Sequence, residues 1–397
     1  MKTIRIILTV LYTLAAIAVF IVALVSPAFR AVAYAPLREL ILPPPEPITL
    51  HILYSTEKEA WLDQVLADFE TQNPRVDGKP IEFTLTKMGS REIYLSVLEG
   101  AQPDVISPAS ALQIRLLEDL SEAEFGSSIV HASNQADCRS VVHTPLVLVT
   151  WAERADVLWG RDPGRNLWKD LQEAAVEPSG WGAYGRPEWG FIKFGHTNPL
   201  TSNSGFMTIT LMTYDYFGIS NGLTADDILS DEGYQEWFLD FENTVIDFGD
   251  STGTYMRDIV AYGPSVYDVV AVYEATAIEQ LENAAGRYGE LAIYYPPQTI
   301  MSDHPFCILD AEWVTGEKRQ ASTLLIDYLT SPEAQQTAVM EHGFRPVDPS
   351  VPLDQSGSPF LREADNGVQI ELPSEIDLPP GRVLDTLLNF WNRNITP

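Results

Sequence analysis

An apolar run of about twenty residues, Ile6 to Val25, stands near the start of the chain without a single charge inside it. At ~1.5 Å per residue a helix of that length crosses a bilayer core. Lys2 and Arg5 precede the run and favour a cytoplasmic N-terminus, so everything beyond Pro27 is expected on the outer side of the membrane. The run is longer than the 7–15 residues usual for the core of a cleaved signal, and the small-residue site Ala31-Val32-Ala33 lies well past it, just after Arg30. Residues 1–30 are therefore expected to form an uncleaved single-pass anchor, with a cleaved signal and a secreted product as the alternative. Residues 31–47 follow as a spacer. Four prolines among its last five residues make it stiff and extended, at about 3 Å per residue where polyproline geometry holds.

The full chain has 397 residues, a formal net charge of −30 and nine tryptophans. About 350 residues remain beyond the spacer, more than one hydrophobic core usually serves, so two lobes are expected. An aromatic content of 10% excludes a disordered chain, and the acidity speaks against nucleic-acid binding, which needs basic surface. The only cysteines are Cys138 and Cys307, neither near the apolar run, so a lipid-bearing N-terminal cysteine is excluded. In an oxidising compartment the two can form a disulfide closing a loop of roughly 170 residues, or remain two buried thiols.

Beyond the spacer, strand and helix patterns alternate. Ile48–Tyr54 alternates as a half-buried strand, and Ser55-Thr-Glu-Lys opens a helix carrying Trp61, Val65, Leu66 and Phe69 at three-to-four spacing. A second strand over Ile81–Thr86 precedes a helix over Arg91–Leu98. A short third strand, Pro103–Ser107, precedes a helix with Leu112, Leu116, Leu117 and Leu120. This spacing implies βαβ units and a parallel sheet covered by helices. Val141–Thr150 reads as a strand broken at Pro145, where the chain leaves one lobe for the other. Phe191–Phe194 reads as a strand, Gly195–Asn203 as a polar loop, Gly205–Phe217 as an apolar helix and Gly289–Pro296 as the return crossing. Helices over Arg319–Leu329 and Arg382–Arg393 complete the pattern, the latter packing Val383, Leu387 and Trp391 on one face.

Four segments give the chain its family likeness: Ser55-Thr-Glu-Lys-Glu, Pro103-Asp-Val-Ile-Ser-Pro-Ala-Ser110, His196-Thr-Asn-Pro-Leu-Thr-Ser-Asn-Ser-Gly205, and Ile326–Gln335 with Gly343-Phe-Arg-Pro346 behind it. Together they resemble the extracellular solute-binding proteins of the type II periplasmic-binding fold. The last pair is most similar to a branch in which this domain often precedes a von Willebrand type A domain, which is not expected in a chain ending at Pro397. The resemblance covers roughly Pro47 to Pro397. It implies two α/β lobes, each a mainly parallel sheet flanked by helices, with a solute in the cleft between them. Lobe one is expected at 48–147 plus 297–397, and lobe two at 148–296. The implied function is hinge closure around a small solute for uptake by an ABC-type transporter permease. A surface scaffold or sensor binding a protein partner is the alternative.

Open α/β sheets bind ligands at the carboxyl ends of strands, where helix N-termini present free N–H groups. Three junctions offer that chemistry: Ser55, Thr56 and Glu57 after the first strand, Ser107 and Ser110 after the third, and Thr197, Ser202, Asn203 and Ser204 before the second-lobe helix. They suit an oxyanion or carboxylate, unless each is an ordinary cap satisfying its own helix. Glu57, Asp268 and Asp303 form a second, acidic group that would suit a cation, and Tyr267, Tyr295 and Trp151 can stack on or close over a solute. His143 and His304 stand near the two cysteines, but the spacing is not that of a zinc site, so no metal is expected. The chain carries no nucleophile elbow, P-loop, zincin or dinucleotide motif, so neither an enzyme nor a bound cofactor is expected.

Overall fold

The computed structural model describes residues 2–26, 45–160 and 167–395. Helix α1 (Lys2–Val25) is a 24-residue helix whose described side chains are exposed, and it belongs to a separate compact unit from the two sheets described below. Its side chains are described without a break only from Ile6 to Val22, and among the described residues no helix is long and apolar enough to cross a membrane. The Ala31-Val32-Ala33 site and the spacer up to residue 44 lie outside the described residues.

From Ile48 onward strand and helix alternate as β1 (Ile48–Ser55), α2 (Glu59–Thr71), β2 (Lys79–Met88), α3 (Ser90–Leu98), β3 (Val105–Ser107), α4 (Ala111–Phe125) and β4 (Cys138–Ser140). A second series follows: β5 (Thr144–Trp151), β6 (Phe194–Thr197), α5 (Asn203–Phe217), β7 (Phe248–Gly249), α6 (Thr252–Tyr262), β8 (Val269–Tyr273), α7 (Glu274–Ala284) and β9 (Leu291–Tyr294). The chain then runs through β10 (Met301–Ser302), β11 (Pro305–Ile308), α8 (Gly316–Leu329) and the C-terminal α9 (Gly381–Asn394).

The first sheet has the order β2-β1-β3-β11-β4. Strand β1 pairs parallel with β2 and β3, as the βαβ spacing requires, while the late arrival β11 pairs antiparallel with both β3 and β4. The second sheet has the order β9-β5-β8-β6-β7. Only β8-β6-β7 is parallel there, and β9-β5-β8 is antiparallel, so the expectation of a mainly parallel sheet fails in this lobe. The reason is that β5 enters from the other sheet rather than through a helical crossover, and meets β8 head to tail.

Three local expectations are also corrected. Pro145 does not break a strand: it is the second residue of β5, opposite Met301 of β10, a strand start where a missing N–H is tolerated. The strand expected at Phe191–Phe194 is displaced to Phe194–Thr197. Phe191 is 70% exposed, whereas Phe194 to Thr197 are all buried, so tertiary burial outweighs the weak strand propensity of Gly195-His-Thr. Strand β9, read as a return crossing, still pairs within the second sheet, and the chain next joins the first sheet at β11.

Strand β5 is buried along its whole length. Leu146 and Leu148 enter one core and Val147, Val149 and Trp151 another, which explains why its sequence is a continuous apolar run rather than an alternation. The C-terminal helix buries Val383, Leu387 and Trp391, as its spacing predicts. It packs along α4 of the first lobe and carries Phe390 and Trp391 into the aromatic group of Phe238 and Phe248 in the second. Its start at Gly381 lies so close to Arg115 and Asp119 that a Cβ there would overlap both.

Cys138 and Cys307 are register partners on β4 and β11, their Cα atoms 3.9 Å apart, and they form a disulfide with a sequence separation of 169. In the loop-entropy account such a bridge stabilises by roughly 3–5 kcal/mol. Cys307→Ser is expected to lower the unfolding midpoint by several degrees, and thermal unfolding of oxidised wild type against the variant measures it. Coincident melting curves would show that the bridge contributes nothing.

Candidate functional site

Strand β1 ends at Ser55, and Thr56–Lys58 makes a 3-10 turn leading into α2. This turn brings Lys58 back under the end of the strand, where it is fully buried. Its Nζ donates to Ser55 Oγ (2.7 Å), the Ser107 carbonyl (2.7 Å) and the Pro108 carbonyl (3.3 Å). An ammonium has three donors, and all three are used to tie β1 to the β3–α4 junction. Burial pushes the amine down to about 7, against the opposing pull of Glu57 and Asp303.

The first turn of α4 is served from a distance. The Ala111 N–H donates to Asp303 Oδ1 (2.7 Å), and Ser140 Oγ donates to the other carboxylate oxygen (3.1 Å). The chain's own carboxylate thus occupies a helix N-terminus that the sequence offers as an anion site. Burial pushes Asp303 upward, and the Ala111 N–H opposes it.

On the second lobe β6 ends at Thr197, beside the start of α5. Ser204 Oγ lies 2.7 Å from Thr197 Oγ1 and 2.7 Å from Thr252 Oγ1, and the Gly205 N–H donates to Thr197 Oγ1 at 2.8 Å. A Cβ on Gly205 would overlap the Thr197 carbonyl, which is why glycine stands at this crossing. Asn203 reaches the other lobe. Its Oδ1 accepts from Ser110 Oγ (2.8 Å) and Gln113 Nε2 (2.9 Å) of α4, and its Nδ2 donates to Tyr273 OH (2.9 Å) at the end of β8. All four residues are at most 2% exposed.

Beside this bridge is a cavity of about 550 Å³, walled by Thr56, Glu57 and Arg91 on one lobe and by Ser202, Asn203 and Asp250 on the other. The volume is in the range of small-molecule sites. Glu57 Oε2 is closed off from solvent and has no hydrogen-bond partner among the described residues.

The sequence-derived site residues therefore separate into two groups. Ser55, Thr56, Glu57, Ser107, Ser110, Thr197, Ser202, Asn203 and Ser204 lie at or directly behind the interlobe junction. Tyr267, Asp268 and Tyr295 lie elsewhere. The Tyr267 carbonyl accepts from Trp151 Nε1, and its hydroxyl faces Asp247. Asp268 is enclosed by Arg154 Nε, Trp181 Nε1 and Lys193, each at 3.0 Å. Tyr295 donates to Glu274, which also takes two bonds of 2.7 Å from Arg345. Glu57 and Asp303 both act on Lys58, whereas Asp268 is held elsewhere by Arg154, Trp181 and Lys193, so the three do not form one acidic site. With both cysteines in the disulfide, no thiolate is left to join His143 and His304 in binding zinc. Sequence reasoning missed Lys58, Gln113, Thr252 and Tyr273. Only Lys58 carried a signal, three residues after Ser55 and so one helical turn from it.

An amine whose folded value lies below its unfolded one binds fewer protons when folded, so stability rises with pH between the two. For Lys58 that window runs from about 7 to 10.5. The stability of wild type relative to Lys58→Met is expected to increase across it, as read by denaturant unfolding at stepped pH. A pH-independent difference would contradict the buried, shifted amine.

Residues 50–345 match the family described as bacterial extracellular solute-binding protein. No curated protein sequence matches the chain. Among solved structures it is similar to the sulfate-binding protein SubI of Mycobacterium tuberculosis H37Rv, at 18% identity and TM-score 0.52, covering 83% of this chain and 93% of that one. It is similar to the periplasmic binding protein AfuA of Actinobacillus pleuropneumoniae, solved with fructose-6-phosphate, at 15% identity and TM-score 0.57, covering 87% and 98%. Iron-bound HitA of Pseudomonas aeruginosa is similar at 15% identity and TM-score 0.56, covering 88% and 100%. At such identities the likeness is one of fold. With three quarters of its length matched by the family and two sheets meeting at a polar cleft, the chain belongs to the bacterial extracellular solute-binding proteins and has their two-lobed α/β fold.

Proposed function

We propose that the chain is an extracytoplasmic receptor, held at the membrane by α1, that closes two lobes around a small solute and delivers it to an ABC-type permease. Lobe one comprises 48–147 with 297–397 and lobe two 148–296. The first lobe contains β1 to β4 and β11, the second contains β6 to β9, and β5 straddles the boundary. The solute occupies the cavity beside Asn203, with Thr56, Glu57 and Ser202 in reach and Ser55, Ser107, Ser110, Thr197 and Ser204 building the walls behind it.

The observation that carries this reading is the Asn203 bridge at the cavity wall. Its bonds to Ser110 and Gln113 exist only when the lobes are closed, so they supply the differential contact that hinge closure needs. Each such bond contributes about 0.5–1.5 kcal/mol net, enough together to bias an open–closed equilibrium without locking it. The family match favours this function over a surface scaffold or sensor.

The anchor rests on the charge-free run Ile6 to Val25 and on the 24-residue span of α1, about 36 Å against the ~30 Å of a bilayer core.

Asn203→Ala removes every interlobe bond of the bridge while leaving α5 intact. A larger radius of gyration by small-angle scattering is expected for the variant, and an unchanged profile would remove the bridge from the closure mechanism. After alkaline extraction of expressing cells, the full-length chain is expected in the membrane pellet. Recovery of a shortened chain from the medium would show that α1 is a cleaved signal.

A further inference from the structure

Beside the cavity, lobe two meets lobe one through two neighbouring residues, Thr201 and Asn203. The Asn203 side chain bonds to Ser110 and Gln113. Thr201 makes its contact through the backbone, its carbonyl oxygen facing Gly89 at the start of α3. A Cβ placed on Gly89 would stand 3.0 Å from that oxygen, inside the 3.4–4 Å of ordinary contact. Gly89, Thr201 and Asn203 all line the cavity wall.

Nothing within lobe one asks for glycine at this position. Gly89 has φ −63° and ψ 145°, an extended conformation open to any residue. Within its own lobe the added Cβ would meet only Glu92, at 3.8 Å or more. Gly89 is also the N-cap of α3, a place where Ser, Asp or Asn offers a side-chain acceptor to the first-turn N–H groups. Glycine offers none, and the local side-chain bond comes from Glu92, whose carboxylate accepts the Gly89 N–H at 3.3 Å.

Both sides of the contact are braced. On lobe two the Asn198 carbonyl accepts the N–H groups of Thr201 (3.1 Å) and Ser202 (2.8 Å), and Asn198 Oδ1 accepts that of Leu200 (2.8 Å). The Asn198 N–H in turn donates to the Gly249 carbonyl of β7 at 2.8 Å. On lobe one the Gly89 carbonyl accepts the Ile93 N–H (3.0 Å), and the buried Ser90 hydroxyl accepts the Ala109 N–H (3.0 Å) from the β3–α4 junction. Two fixed pieces of backbone thus meet with no room to spare for a methyl group.

We propose that Gly89 is a positioning residue of the solute site: its missing side chain lets the Thr201 carbonyl approach and so sets how far the lobes close over the cavity. This rests on the interlobe cavity being the solute site. Small-angle neutron scattering of the full-length chain in contrast-matched detergent reads the interlobe opening, and thermal unfolding accompanies each variant. Gly89→Val adds bulk without charge. Gly89→Asp adds the same Cβ together with a good helix cap, and its ionised carboxylate cannot donate to the Thr201 carbonyl. Both are expected to shift the radius of gyration upward, as is Asn203→Ala, with Gly89→Asp melting at or above the wild-type midpoint. An expanded Asp variant of undiminished stability separates a role in closure from a role in folding α3. Wild-type dimensions in both Gly89 variants, with Asn203→Ala expanded, would overturn the proposal and leave lobe closure standing. Wild-type dimensions in all three would overturn both. Gly89→Asp melting well below wild type would also overturn the proposal, because the glycine would then serve the fold of lobe one.

Discussion

Side chains of β5 and β8 point alternately into two separate cores. Leu146, Leu148, Val269, Ala271 and Tyr273 enter one, and Val147, Val149, Val270 and Val272 enter the other. A strand pair buried on both faces has no side that can meet water, so helices must cover it above and below. The need is met by α5 on one side and by α6 and α7 on the other. The entry to β5 is pinned where it leaves the first sheet. His143 and Arg345 exchange backbone bonds of 2.8 Å in both directions, and Thr144 Oγ1 accepts the Ala275 N–H at the start of α7. Arg345 in turn is held by Glu274. The second sheet, the crossing between lobes and the floor of the cleft are consequences of satisfying this one pair.

Where the two lobes meet beside the cavity the contacts are polar, while the C-terminal helix joins the lobes through apolar packing elsewhere. The Ser204 hydroxyl bonds to those of Thr197 and Thr252, Asn203 joins Ser110, Gln113, Met207 and Tyr273, and Lys58 and Asp303 each gather partners from distant segments. Buried polar groups are tolerable when paired and unfavourable when not, so such an interface holds its geometry closely yet can open to water with little net change in energy. An apolar seam of the same area would not reopen so readily. Among the described residues Glu57 Oε2, Gln113 Oε1, Ser107 Oγ and His304 Nδ1 are buried without a hydrogen-bond partner.

The acidity of the whole chain and the acidity of the cleft are different facts. A net charge of −30 spread over an outward-facing surface keeps a protein soluble and does not set what a cavity binds. The cleft draws its character from Glu57, Glu92, Glu99 and Asp250, which local geometry gathers from several elements.

The βαβ start of the first lobe, the helices at Trp61–Phe69, Arg319–Leu329 and Arg382–Arg393, and the nine junction residues from Ser55 to Ser204 could all be read from the chain. Each depends on near neighbours: a repeat of apolar positions, a hydroxyl before a helix, a glycine at a crossing. Pairing directions in the second sheet, the displacement of β6 past Phe191, and the loss of Asp268 and Tyr295 from the site depended on contacts between residues far apart in sequence. The same holds for Lys58. Its place in the sequence marks only the opening of a helix, and its role as a tie exists because Ser107 and Pro108 arrive beside it from about fifty residues away. Local periodicity by itself determined which segments are strands and helices and where helix starts cluster. Only the tertiary structure decided which donors and acceptors find each other, because a hydrogen bond depends on distance in space and carries no trace in the order of the chain.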